Sequence, residues 1–307
     1  MAKLQSTEIV GVANRPATIC ANTMCIWFDT TNLKTVISYC GCIGSWSAGG
    51  VLITGRQLLA GAGTQNEGLA AGGCANVSVS CTEEYNGTSW AAGGALITVR
   101  KALTGAGTQN VGLAMGGYVT VSPFVVTCTE EYNGASWVSG GALITGRWYL
   151  AGVGSQNVGL AFGGSPSSTE EYNGTSWAAG GVLITARGSL AGAGTQNEGL
   201  AFGGSPSSTE EYNGTSWSTG GALIVGRPYL AGAGTQNAGL AFSENPSSTE
   251  EYNGTSWSTG GAIITGRNSL AGAGTQNEGL AIGGTLGVGI SCTEEYNKTF
   301  RIIDSIQ

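Results

Sequence analysis

Across residues 187–227 the chain alternates short runs of small or apolar residues with polar turns: LAGAGTQ, GLAFGG, STEEYN and SWSTGGALI. Gly, Pro, Asn or Ser bounds each run, and the Asn-Gly pair between the last two is a strong hairpin signal. Glycine inside a helix costs about 1 kcal/mol relative to alanine, and every unit holds several. The pattern therefore predicts four short antiparallel strands per unit, a to d, and no helix.

The unit recurs. Marker tryptophans stand at 46, 90, 137, 177, 217 and 257, and the arginine that opens each unit stands at 56, 100, 147, 187, 227 and 267. A period of about 40 residues points to an array or a propeller. A four-stranded sheet this small cannot bury both faces alone, and repeated radially such sheets form a β-propeller. Crowding near the axis is met by Ala191-Gly192-Ala193-Gly194 in strand a and by Gly203-Gly204 ending strand b. Tyr212 and Trp217 supply the large packing surface between blades.

The order Arg, small strand, apolar strand ending in Gly-Gly, Glu-Tyr-Asn, then Trp resembles the kelch repeat over roughly residues 45–300. That resemblance implies an all-β, kelch-like propeller. Departures are Phe242-Ser243-Glu244 in place of Phe-Gly-Gly, and Phe300 where a seventh Trp would stand. The preferred arrangement has six four-stranded blades, with an N-terminal strand at 45–53 completing the last C-terminal sheet and removing two open edges. The alternative draws a seventh blade from residues 7–50, with 300–305 completing the sixth.

Residues 1–22 lack repeat character and read as an arm. Ile26-Trp27-Phe28, the turn cluster Asp29-Thr30-Thr31-Asn32 and the run 34–39 then predict a β-hairpin. The stretch 24–46 resembles hairpins of bacteriophage tail-fibre and other virion proteins. On this reading residues 1–44 are a particle-docking arm and hairpin, and 45–307 are the propeller.

Composition narrows the function. Net charge is −7, and only twelve Lys and Arg are present, mostly one per repeat, which disfavours nucleic acid as a partner. No run of eighteen apolar residues exists and the start lacks the apolar core of a secretory signal. The expected location is a virion assembled in a host cytoplasm, the alternative the cytoplasm itself. Cys81, Cys128 and Cys292 occupy one repeat position in different blades, too far apart for disulfides that need Cα atoms within about 7 Å. All eight cysteines are therefore read as free thiols.

Catalysis finds no foothold. The absence of histidine removes Ser-His-Asp and Cys-His triads and His-ligated metals. Kelch-like copper oxidases need histidine ligands, so that activity does not carry over. The Glu-Glu pairs, such as Glu83-Glu84, cannot converge, because adjacent strand residues point to opposite faces. A carboxylate of each pair is expected to meet a neighbouring strand or the repeat Arg. No enzyme, cofactor or metal is expected.

Binding is sought where the repeats differ. The a–b turns (Thr-Gln-Asn) and c–d turns (Asn-Gly-Thr-Ser) hardly change. The b–c loops gain insertions at 74–81, 118–128 (with Tyr118 and Phe124) and 285–292, and the d–a connections vary at Lys101, Trp148-Tyr149 and Pro228-Tyr229. The kelch resemblance implies that both loop sets share one face. It also places Arg56, Arg100, Arg147, Arg187, Arg227 and Arg267 near the axial mouth, where guanidinium groups can hold anionic or sugar ligands. The competing reading pairs each Arg with a carboxylate or carbonyls of an adjacent blade. The expected function is a non-enzymatic structural or adhesive virion component, present in multiple copies, whose variable face meets another virion subunit or a host-surface glycan. The alternative is a cellular kelch-type interaction module.

Overall fold

A computed structural model of the chain describes residues 23–29, 34–164, 167–243 and 247–305, with side chains placed within 44–299. The expected arm at 1–22 and the side chain of Phe300 lie outside the described residues. The chain divides into two compact units, Trp46–Asn297 and Met1–Ser45 with Lys298–Gln307.

In the larger unit, six four-stranded antiparallel blades form a ring. Their innermost strands adjoin in order, and that of the last blade meets that of the first. It is a six-bladed β-propeller. In the fourth blade Leu190–Gly194, Gly199–Gly203, Thr209–Tyr212 and Trp217–Gly220 run from axis to rim as strands a to d. Register is fixed by Leu190↔Gly203, Gly199↔Tyr212 and Tyr212↔Trp217.

Strand periodicity explains how both faces of so small a sheet are buried. Ala191, Ala193, Leu200 and Phe202 pack against Ala241, Tyr252 and Trp257 of the fifth blade. Ala201, Tyr212 and Trp217 pack the other way, against Val153, Leu160 and Phe162 of the third. Trp217 lies 4.9 Å from Tyr212 and 5.0 Å from Phe162, ring centre to ring centre. Between adjacent inner strands there is no room for more. A Cβ on Gly192 would stand 2.7 Å from Phe162 Cζ and 2.9 Å from Val153 Cγ1. Gly203 and Gly204 are left-handed (φ +72° and +80°), which glycine adopts without a steric cost. In the fifth blade Ser243 replaces the first of these glycines, and its buried hydroxyl has no hydrogen-bond partner among the described residues.

Each blade reaches back to the one before it through the same polar ties. A tyrosine hydroxyl donates to a glutamate, as Tyr132 to Glu84 (2.5 Å) and Tyr212 to Glu171 (2.6 Å). The tryptophan indole donates to a threonine hydroxyl, as Trp137 to Thr82 (2.9 Å). The a–b turn glutamine donates to two backbone carbonyls, as Gln109 to those of Gly68 (3.1 Å) and Tyr85 (2.6 Å). The ties run round the ring and close it: Tyr85 donates to Glu295, and Gln65 to the carbonyls of Gly279 and Tyr296.

Closure follows the six-blade arrangement. The sixth blade takes strands a to c from the C-terminal part of the chain and its outer strand from the end of Lys34–Ala48. Trp46 Nε1 donates to Thr249 Oγ1 at 2.8 Å, and the Gly49 amide to the Thr293 carbonyl at 2.9 Å. The alternative seventh blade does not form among the described residues, because the segment it needed is spent on this closure. In the smaller unit Thr23–Asp29 pairs antiparallel with residues 34–40, from Asp29↔Lys34 to Thr23↔Cys40, which is the expected hairpin.

Candidate functional site

The b–c loops and d–a connections lie together. Residues just after three of the repeat arginines bridge to the loops: Gln57↔Cys74, Lys101↔Tyr118 and Asn268↔Thr285. The outer part of each connection is anchored there too, as Leu96 to the Ser80 carbonyl (2.8 Å) and Leu143 to that of Thr127 (2.9 Å). This end of the disc is the loop face. The a–b and c–d turns adjoin at the opposite end, where Gly87 abuts Asn66, and form the turn face.

The six arginines do not line an open mouth. Each is at most 5% exposed and pairs with a glutamate of its own blade: Arg56 with Glu83, Arg100 with Glu130, Arg147 with Glu170, Arg187 with Glu210 (2.6 Å), Arg227 with Glu250 (2.8 Å) and Arg267 with Glu294. This corrects the expectation of surface ligands for an anion or sugar: each guanidinium is buried and held by a carboxylate, out of reach of a ligand at the surface. The same carboxylates fix the d–a connections from below. Glu130 accepts the amides of Ile97 (2.7 Å) and Thr98 (3.1 Å). Burial lowers the Arg147, Arg187 and Arg227 pKa values, opposed by the facing carboxylates. The second glutamate of each pair takes a tyrosine of the next blade, so both carboxylates of the repeat serve the scaffold.

Directly after each arginine the chain closes a ring. Leu58, Ala102, Tyr149, Ser189, Tyr229 and Ser269 occupy one repeat position, and each donates its amide to the carbonyl of its counterpart in the preceding blade, at 2.8–3.1 Å. All six are left-handed, with φ between 53° and 59°. For an L-residue this costs roughly 1–2 kcal/mol. The chain holds 55 glycines, yet none of the six positions has one. Among the described residues the remaining non-glycine residue with positive φ is Phe124, also on the loop face. Non-glycine residues held in left-handed backbone cluster at binding and catalytic sites.

Five of the expected aromatics come together there. Phe124 stacks on Tyr118 (6.0 Å), Tyr118 meets Trp148 (5.2 Å), Trp148 stacks on Tyr149 (4.6 Å), and Tyr149 meets Tyr229 edge-on (5.3 Å). Lys101 Nζ sits 5.8 Å above the Tyr118 ring. Burial, then Tyr229, raises the Tyr149 pKa. Beside the aromatics a shallow hollow of about 70 Å³ opens at the axis, and below it a channel of about 120 Å³ lined by the alanines and glycines of the inner strands.

One feature escaped the reading of the sequence. Of the eighteen large hydrophobic residues exposed among the described residues, all but Val111, Val138 and Val158 lie on the loop face. They include Ile53, Ile97, Ile144, Ile184, Ile224 and Ile264, one per blade and each 58–63% exposed. The signal was an isoleucine unchanged in all six units beside positions that drift. Charge is divided as sharply. Among the described residues Lys101 is the loop face's charged side chain outside the buried pairs, whereas the exposed Glu67, Glu198 and Glu278 sit on a–b turns of the opposite face. Cys74, Cys81, Cys128 and Cys292, in or beside the three long loops, are free thiols.

No family model and no curated protein matches the sequence. Among solved structures the chain is similar to YjhT, with 11% identity and a TM-score of 0.68, covering 83% of this chain and 100% of that one. The likeness is one of fold. It agrees with the propeller and leaves the site to be argued from its own residues.

Proposed function

We propose that this protein is a non-enzymatic, kelch-like structural component of a phage-like particle that contacts another virion subunit through its loop face. The observation that carries this reading is the gathering of exposed aliphatic side chains on one face and of exposed acids on the other. Scattered apolar residues are ordinary on any surface, whereas a contiguous patch across one face marks an interaction site. A face with one free charge and no converging polar groups among its described residues suits a protein surface better than a small polar substrate. The order of Arg, Gly-Gly, Tyr and Trp supports the kelch comparison, and the hairpin composition at 24–46 supplies the particle context.

Photo-crosslinkers at positions 77 and 124, with one at 111 on the turn face as control, test this in purified particles. The expected result is this chain within the particle, joined to a particle protein from 77 and 124 and not from 111. Absence from particles, or crosslinks from 111 alone, overturns it. The aromatic run from Phe124 to Tyr229 favours a second reading, a host-surface glycan stacked on these exposed and half-buried rings. Glycan-array binding that is lost with Trp148→Ala and Tyr229→Ala supports it, and unchanged binding removes the site from these residues.

A further inference from the structure

We infer that the partner seated on the loop face is a second copy of this chain, the two discs stacked face to face about a two-fold axis. This rests on reading that face as a contact surface, and it names the occupant.

The isoleucine ring is the first ground. The position before the buried leucine drifts between Val and Ala (Val51, Ala95), and the position before the arginine among Gly, Val and Ala (Gly55, Val99, Ala186). The isoleucine between them never changes, although its hydrogen bond to glutamate uses only the backbone amide, which any residue but proline supplies. Six apolar side chains held constant while each is more than half exposed imply something outside that covers all six.

Charge is the second ground. A partner with a strong field of either sign would find only Lys101 to answer it among the described residues of this face. The surface that matches is one equally apolar and uncharged, and the chain supplies that surface itself. Stacking two loop faces also turns both sets of exposed turn-face acids (Glu67, Glu198, Glu278) outward, away from each other.

Shape is the third. The long loops at 74–81, 118–128 and 285–292 belong to blades one, two and six, which are consecutive in the ring, and each folds back on itself through its own bridge. Half of the face therefore carries long loops and half short ones. A two-fold axis lying in the plane of contact sets the long-loop half of each copy over the short-loop half of the other. It brings Val77, Val121 and Leu286 to the sector of Ile184 and Ile224, and both copies use the same patch, as an isologous interface requires. Such interfaces take about 20–30 residues a side, within what this face offers.

The test is sedimentation equilibrium of the full chain, with Val77→Glu and Ile184→Glu as variants and Val111→Glu as the turn-face control. All three positions are solvent-exposed, so the variants keep the fold, which circular dichroism and melting check. The wild type and Val111→Glu are expected at twice the chain mass, and the two loop-face variants at the chain mass, with the dissociation constant raised at least about a hundredfold by burying an unpaired carboxylate against the apolar sector of the other copy. A monomeric wild type at high concentration, or loop-face variants that stay dimeric, overturns the inference. Scoring the same variants for incorporation into particles separates the two claims. A monomer in solution that still needs Val77 and Ile184 for incorporation has a different subunit as its partner, and only the second copy is refuted.

Discussion

The two faces of this propeller are built by opposite rules. On the turn face the residues are nearly the same in every blade, and their side chains are used up in holding the ring: Gln109 ties two backbone carbonyls of the preceding blade, and Asn86 Oδ1 accepts the amides of Thr88 and Ser89. On the loop face the repeated groups, the arginine and its glutamate, are buried beneath the surface, and what lies on top is variable, apolar or strained. The difference teaches where to look in a repeat protein. Sameness in a side chain that is bonded or buried is scaffold, whereas sameness in a side chain left in solvent, as at the six isoleucines, is what the proposed contact surface accounts for.

The harshest way to break the comparison is to attack ties that belong to neither face. Desolvation, followed by the hydrogen bond to glutamate, raises the pKa of Tyr85, Tyr132, Tyr172, Tyr212 and Tyr252 from 10.0 to about 12, and that of Tyr296 also upward. A group whose folded pKa is raised contributes stability that is full below its unfolded value and lost as pH climbs through the folded one. The unfolded chain sheds these protons first, so stability is expected to fall steeply between pH 10 and 12 and both faces to fail together. Alkaline titration followed by tryptophan fluorescence checks this. A transition that leaves the disc intact at pH 12 shows that the tyrosine–glutamate bonds are not what ties the blades.

Next in size is Arg100→Ala. It leaves Glu130 buried and unpaired, a change that costs about 3–5 kcal/mol. Because Glu130 also holds the Ile97 and Thr98 amides, the loop face above it is expected to loosen first. Urea unfolding gives the loss of stability, and hydrogen exchange at Ile97 and Thr98 its location. Exchange that rises instead at the turn face would mean the pair is not the floor of the loop face.

Much of this was legible in the residues. Six tryptophans and six arginines stepping together along the chain, with Gly-Gly and Asn-Gly recurring between them, leave a chain of short strands few arrangements other than a ring. Strand c placed its two glutamates on opposite faces, and the structure gives one to arginine and the other to tyrosine. The site was less legible, for physical reasons. Whether an arginine faces water or a carboxylate depends on burial between sheets, which periodicity does not report. Left-handed backbone at Ser189 or Tyr229 leaves no trace in composition, because the usual flag, glycine, is absent there. Exposure of the isoleucines follows from their backbone being drawn toward glutamate while the adjacent leucine turns inward, a contact between distant residues.

Gln109→Ala sharpens the contrast from the other side. It removes two hydrogen bonds between blades on the turn face, an expected loss of about 1–3 kcal/mol. Contacts made through the loop face should survive it, since none of its residues is touched. A variant that keeps full stability but loses its partner would reverse the assignment of the two faces.

The smallest expected effect cuts most finely. Ser189 sits left-handed at φ 56° in the ring of six, where a side chain costs roughly 1–2 kcal/mol and glycine gives back about 0.5–1 kcal/mol through unfolded-state freedom. Ser189→Gly should therefore stabilise the propeller by about 0.5–1 kcal/mol, read as a rise in the urea midpoint at unchanged slope. The amide that it donates to the Tyr149 carbonyl is kept, so the ring itself stays closed. If binding by the loop face weakens while the fold strengthens, the side chain was kept against the interest of stability. If both improve, or if stability falls, the strain at the mouth has no contact to explain it, and the loop face loses its inner half.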